Sequence, residues 1–313
     1  MRRLLLVVAL SLACVAARAG EPEIRVTLLG TGSPIPEPQR AGPATLVQAA
    51  DQNLLFDAGR GVTTRLYQLK LSFRKVTPVF ITHYHSDHIN GLPDLWLSGW
   101  LGGLWARRTS PMQIIGPTGL RELTDNLSKA YAADIRIRIA DEHYPPSGVA
   151  FKTEEFDKDG VVYENNGVKV TAFEVNHGEA IKPAYGYRID YHGHSVVISG
   201  DTRMNENVVR YGTGVDLLVH EVCAARPELT DAQAKAVMAH HTSPREAGMV
   251  FDRAKPKLAA FTHIVLIGGP NVPAPTLDEV VSQTRQTYSG PLAVGEDLMS
   301  FDITDAGVAV SRK

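Results

Sequence analysis

Cysteine is almost missing from this chain of 313 residues, which has only Cys14 and Cys223. Cys14 lies in an N-terminal segment that reads as a removable leader, so a processed chain keeps Cys223 alone. A single thiol excludes an intramolecular disulfide, even in an oxidising compartment. Positive charge is not in excess either: 32 Lys and Arg stand against 34 Asp and Glu, a formal net charge of −2. Removal of the leader takes Arg2, Arg3 and Arg18 and moves the balance to about −5, which argues against a protein that coats a polyanion. The chain also lacks internal repeats, low-complexity tracts and any second apolar run of membrane length, so no transmembrane anchor is expected. The Gly-rich turn Gly30-Thr31-Gly32-Ser33-Pro34 lacks the Lys-Ser/Thr of a P-loop and the helical pattern of a dinucleotide fold. It is read as a tight turn near a site.

Arg2 and Arg3 precede an apolar run through residues 4–13, and Ala17-Arg18-Ala19 supplies a small-x-small cleavage pattern. Residues 1–19 are therefore expected to be a secretory signal peptide, and the mature protein to be periplasmic or secreted. Ser11-Leu12-Ala13-Cys14 raises a lipoprotein alternative, weakened by Ser where lipidation sites usually carry Leu. Residues 20–313 are expected to form a single domain. Their composition is ordinary for a globular protein, with 44% hydrophobic and 21% charged residues in the whole chain.

Strand and helix patterns alternate in both halves, which predicts an α/β fold of sheet layers covered by helices. Strands are expected at 24–29, 45–49, 53–57, 113–115, 168–175, 185–190, 195–199, 217–220 and 258–262. The alternating segments 135–139 and 149–151 read as half-buried strands. Helices are expected at 61–69, 119–132, 204–211, 231–239 and 244–254. Trp96, Trp100 and Trp105, interspersed with Gly99, Gly102 and Gly103, suit either a mobile apolar flap or helix-to-core packing. The Gly/Pro loop 268–275 is a candidate rim.

The densest chemistry lies in His83-Tyr84-His85-Ser86-Asp87-His88. An apolar run, 79–82, precedes it, so the cluster stands at the carboxyl end of a strand, where α/β folds commonly place their sites. His83 and His85, two apart, can point the same way on extended backbone, while Asp87 and His88 point elsewhere past a turn. That division suits two adjacent metal ions better than one. His177, Asp201, the pair His220 and Glu221, and His263 repeat the pattern of an apolar strand ending in a ligand-type residue.

With these motifs the sequence closely resembles the metallo-β-lactamase fold hydrolases, in the branch containing ribonuclease Z and the extracellular zinc arylsulfatases. The resemblance runs from about Ile24 to Ile303. It is carried by Leu28-Leu29-Gly30-Thr31-Gly32, Phe56-Asp57-Ala58-Gly59, the 83–88 cluster, Asn176-His177-Gly178, Ser199-Gly200-Asp201-Thr202, His220-Glu221, His241-Thr242-Ser243 and Thr262-His263. It implies a four-layer αβ/βα sandwich with two Zn²⁺ per chain at one edge. By resemblance His83, His85 and His177 bind the first ion, Asp87, His88 and His263 the second, and Asp201 bridges both. Imidazoles and carboxylates suit zinc, and two such ions can share a hydroxide. Asp87 is placed to orient that nucleophile. His241 matches the family histidine that stabilises the transition state or donates a proton, and Glu221 the acid that orients it. His240 is its adjacent competitor. His143, His192, His194 and His220 are read as structural or surface residues, and Cys223 as a buried bystander. The bridging aspartate argues against a true β-lactamase.

Ribonuclease Z usually carries an RNA-gripping arm between the third histidine and the bridging aspartate. Here His177 and Asp201 are only 24 positions apart, filled by a hairpin that turns at His192-Gly193-His194. The expectation is therefore an exported dizinc hydrolase of small anionic sulfate or phosphate esters, arylsulfatase-like or phosphodiesterase-like. The alternative is a ribonuclease Z-type 3′ tRNA-processing endoribonuclease, with nucleic acid possible but not favoured as partner. A non-catalytic zinc-binding periplasmic protein is a minor alternative that predicts loss of a ligand or of the Glu221–His241 pair. Arg40 is a candidate contact for an anionic substrate, and a homodimer is left open.

Overall fold

Two sheets face each other across one shared core in the computed structural model, which describes residues 21–103 and 106–312. The first is built by β1 (Ile24–Gly30), β2 (Ala44–Ala49), β3 (Gln52–Phe56), β4 (Val79–Phe80), β5 (Met112–Pro117) and β6 (Phe151–Phe156). The second follows with β7 (Gly160–Asn165), β8 (Val168–Glu174), β9 (Tyr185–Tyr191), β10 (His194–Ile198), β11 (Leu217–Ala225), β12 (Leu258–Ile267) and β13 (Leu292–Val294). The chain then returns to the first sheet, where β14 (Ser300–Thr304) pairs with β1, and β15 (Gly307–Ser311) forms the edge.

Strands β3 to β6 run parallel, as do β10 to β13, and such ladders need both faces covered. Helices supply the cover. On the first sheet lie α1 (Val62–Gln68), the short α2 (Ser86–Ile89), α3 (Leu92–Trp100), α4 (Leu120–Ala130), α5 (Ala132–Asp141) and α6 (Pro146–Val149). On the second lie α7 (Glu206–Gly212), α8 (Ala232–Met238), α9 (Pro244–Ala254) and α10 (Leu277–Thr284). The order of layers is helix, sheet, sheet, helix, the expected four-layer sandwich. Between the sheets the rings of Phe56 and Phe80 stack at 4.8 Å, and Tyr187 packs against both. Its hydroxyl donates to Ile81 O at 2.6 Å and ties the second sheet to the end of β4.

Two local expectations fail. Residues 135–139 form helix α5 rather than a strand. Ile135, Ile137 and Ile139 alternate with arginines, but Asp134, Arg138 and Glu142 stand at i, i+4 spacing and pair at 3.0 Å, which only a helix allows. Ile137 is left 63% exposed, so the alternation was not a sheet face. Residues 149–151 likewise split between the end of α6 and the start of β6. The hairpin before Asp201 is as expected, with His192 (φ 48°) and Gly193 (φ 85°) forming the two left-handed turn positions.

Trp96 and Trp100 form no flap. Both are fully buried in α3, and their indole N–H groups donate to Val149 O and Pro145 O. Trp105 and the expected signal peptide, residues 1–19, lie outside the described residues. No helix among the described residues is long and apolar enough to cross a membrane.

Candidate metal centre

One edge of the sandwich collects the carboxyl ends of β3, β4, β8 and β10, which lead into Asp57, His83, His177 and Asp201 respectively. After β4 the backbone stays extended as far as His85 (φ −63°, ψ 144°), which caps α2. His83 and His85 therefore face the same space, their rings 4.8 Å apart. The single turn of α2 then swings Asp87 and His88 back into the site, where both are buried. His263 arrives by a different device. It is the extra residue at a register shift between β11 and β12, with φ 40°, so the ladder pushes it out towards the cluster.

Asp201 stands at the centre. Its Oδ2 lies 3.8 Å from His83 Nε2, 3.6 Å from His177 Nε2, 3.3 Å from His88 Nε2 and 3.3 Å from His263 Nε2. His177 Nε2 is 3.2 Å from His85 Nδ1, and His263 Nε2 is 3.2 Å from Asp87 Oδ2. Four compact groups of ligand-type atoms overlap here, two of them His83, His85, His177 and Asp201, and Asp87, His88 and His263; His241 joins His177 and His240 in a third, and Asp201 and His263 in a fourth. One carboxylate oxygen, Asp201 Oδ2, lies within 3.8 Å of imidazoles from both of the first two groups.

The outer hydrogen bonds settle which ring nitrogen faces inward. His88 Nδ1 donates to Asp57 Oδ2 at 2.7 Å. Thr82 Oγ1 donates to the same oxygen at 2.8 Å and accepts from His83 Nδ1 at 3.0 Å. His177 Nδ1 donates to His240 O at 2.9 Å. In each case Nδ1 is engaged and Nε2 faces Asp201, the nitrogen a metal would take. His83 Nε2 and His88 Nε2 are fully buried with no hydrogen-bond partner, a costly state unless a cation takes them. The residues present thus fit two divalent ions.

Charge follows from the crowding. Burial holds His83 well below the usual imidazole range and His177 down at about 3, so both are neutral donors. Burial also opposes His88, but the Asp201 and Asp57 carboxylates outweigh it and raise it well above that range. At Asp201 burial favours the protonated form, yet His263, His88 and His83 hold its carboxyl far below the ordinary value.

Asp57 follows β3 in the motif Phe56-Asp57-Ala58-Gly59. It is buried, in the left-handed region at φ 60°, and accepts from Thr82 N, Thr82 Oγ1 and His88 Nδ1. Nothing in a lone aspartate after a strand predicts this. The neighbouring Gly59 shows how tight the corner is, since a Cβ there would lie 2.6 Å from Asp87 O.

Beside the ligands stand Glu221 and His241. Glu221 Oε1 accepts from Thr242 N at 2.9 Å, Thr202 N at 3.2 Å and His241 Nδ1 at 3.2 Å. Burial and the Asp201 charge push its carboxyl well above the usual range. Burial lowers the His241 imidazole to about 4. Its ring stacks 5.5 Å from that of His263, and His240 flanks it at 4.8 Å, half-buried. His220 points away, its Nδ1 donating to Glu221 O and its ring against Phe251. Cys223 is buried against Met238, as expected of a bystander. Arg40 Nη1 donates to Thr31 Oγ1 and Gly295 O, bracing the Gly-rich turn rather than reaching the site. A cavity of about 580 Å³ opens on the cluster, lined by His85, Asp87, Asp201, His240, His241 and His263 on one side. The Gly268-Gly269-Pro270 segment contributes to its rim, as the sequence suggested.

Comparison with known proteins agrees with the fold. Residues 52–264 match the family described as Beta-lactamase superfamily domain. A protein named ribonuclease Z from Mycobacterium marinum is 34% identical over 285 residues, covering 90% of this chain and 99% of that protein. Among solved structures, the metallo-β-lactamase fold protein YhfI from Bacillus subtilis superposes with a TM-score of 0.69 at 21% identity, covering 88% of this chain and 98% of that one. The short form of human tRNase Z gives a TM-score of 0.66 at 24% identity, covering 90% and 99%.

Proposed function

The chain belongs to the β-lactamase superfamily, and from that premise we propose that it is a metal-dependent phosphodiesterase of the ribonuclease Z kind. The observation that carries this is Asp201 Oδ2 standing within 3.8 Å of imidazoles from both half-sites, with His241 and Glu221 beside it. The sulfate-ester half of the first expectation has no support from the relatives. The missing arm also loses its force against RNA. Relatives named ribonuclease Z are covered over 98–99% of their own length by alignments of 282–285 residues, which leaves them no room for a long extra segment.

His83, His85, His177 and Asp201 would hold one ion, and Asp87, His88, His263 and Asp201 the other, with zinc the metal that suits these donors. Ions so held supply an acidified water and cancel the charge gathering on the phosphate. Asp87 accepts a hydrogen bond from the attacking water and aims it. Glu221 fixes the His241 ring through Nδ1 and leaves Nε2 to the cavity, where it would stabilise the transition state or, once it has taken up a proton, hand that proton to the departing oxygen. Export through residues 1–19 remains part of the proposal, and would bring the enzyme to phosphodiesters outside the cytoplasm.

The test is a panel on purified, metal-analysed protein: bis(4-nitrophenyl) phosphate, a precursor tRNA and an aryl sulfate. Diester or tRNA cleavage is expected to dominate and to vanish in Asp201→Ala together with bound metal. An aryl sulfate ranking first by kcat/KM, or full activity in Asp201→Ala, would overturn it.

A further inference from the structure

The wall of the cavity opposite the ligands is aliphatic. Leu229, Val237, Val265 and Ile267 line it from the loop before α8, from α8 and from the far end of β12. Ile35, 71% exposed, overhangs it from the turn after β1. Partly exposed aliphatic side chains from four segments converge on one volume directly beside the metal centre. Such a patch left open to water marks a binding site, and about 580 Å³ lies in the range of small-molecule pockets.

Its charge points the same way. No lysine or arginine lines the cavity among the described residues. The charged group on the aliphatic side is Asp231, which caps α8 by accepting from Ala234 N. Arg226, on the loop that leads to α8, is engaged by Glu279 and Pro273 O. A groove that grips a polyanion needs basic side chains along it, and this one offers a carboxylate.

We propose that this cavity seats one uncharged, apolar organic group of the ester, so that the protein selects small hydrophobic phosphodiesters over polyanionic chains. The assignment rests on the phosphodiester function proposed above and narrows its substrate class. The phosphate lies at the ligand cluster while the organic group contacts Leu229, Val237, Val265 and Ile267.

The experiment measures calorimetric binding of uncleavable O-alkyl methylphosphonates, from methyl to hexyl, to the metal-loaded protein. Kd is expected to tighten about three- to fourfold per added methylene, the value of burying each in an apolar site. Val237→Asp should flatten the series, and the milder Val265→Thr should reduce its slope without threatening the fold. Uridine oligonucleotides of two and four residues, used as competitors, should differ in Kd less than threefold. A flat alkyl series in the unaltered protein, or affinity that climbs with phosphate number, overturns the assignment. Hydrolysis of bis(4-nitrophenyl) phosphate is measured in parallel. A steep alkyl series with no hydrolysis would sink the phosphodiesterase function and leave the cavity assignment standing. Hydrolysis with a flat series would do the reverse.

Discussion

Asp57 stands behind the ligand cluster, yet it governs two of its members. It orients His88 directly and His83 through Thr82. Asn at this position keeps the shape but loses the charge, and its amide N–H can oppose His88 Nδ1–H. Partners of this kind are worth roughly 10–100-fold in metal affinity, so Asp57→Asn should weaken metal binding by that factor, read by competition with a chromophoric chelator. His241 makes the opposite prediction. It stands beside the ligands and is held by Glu221, so His241→Ala should keep metal content while kcat on a diester falls about 10²–10⁴-fold, as loss of an acid–base group does. Loss of metal in that variant would make His241 a ligand instead. The sequence marked His241 through its Thr-Ser neighbours. It could not mark Asp57, whose importance arises only when the end of β3 is laid beside β4.

At the scale of elements, the parallel strands β10, β11 and β12 are clipped together by Asp216, just ahead of β11. Its carboxylate accepts from Ser195 N at 2.8 Å and from Lys257 Nζ at 2.7 Å. Burial favours the protonated form, but the Lys257 charge and these hydrogen bonds win and hold the carboxyl below its usual value. A depressed carboxyl stabilises the fold above its unfolded pKa of about 3.9 and loses that contribution as pH falls through the folded value. Urea midpoints of the native chain and Asp216→Asn should therefore differ clearly at pH 7, and the gap should narrow as pH falls below about 4. A gap that is constant with pH would mean that Asp216 acts by shape alone. Elements were also where sequence patterns misled. In α5 the Ile/Arg alternation imitates a strand, while the i, i+4 pairs of Arg138 carry the helical signal. The bulge that presents His263 was not legible, because Phe261-Thr262-His263 reads as an uninterrupted strand until its register against β11 is known.

The whole molecule is a sandwich whose two sheets meet at the metal-binding edge, and each sheet supplies ligands. His83, His85, Asp87 and His88 come from the first, and His177, Asp201 and His263 from the second. That grouping was legible because each ligand group, His263 included, follows an apolar strand; only the bulge that presents His263 was hidden. The substrate was not, because the aliphatic wall is assembled from residues 35, 229, 237, 265 and 267, scattered through the chain. Metal held between the sheets binds only the folded form, so chelation should destabilise the protein globally. At metal concentrations 100-fold above Kd each ion contributes about 2.7 kcal/mol, and EDTA should lower Tm by roughly 4–5 °C per ion; an unchanged Tm would mean that the folded chain gains nothing over the unfolded one from binding metal. One further consequence belongs to Asp57. Because His83 serves one half-site and His88 the other, ordering either ring orders the Thr82–Asp57 relay that the second ring needs. Loading should therefore be cooperative, passing from empty to doubly filled with little singly filled protein between. Native mass spectrometry during metal titration should show that two-population pattern, and in Asp57→Asn the singly loaded species should accumulate.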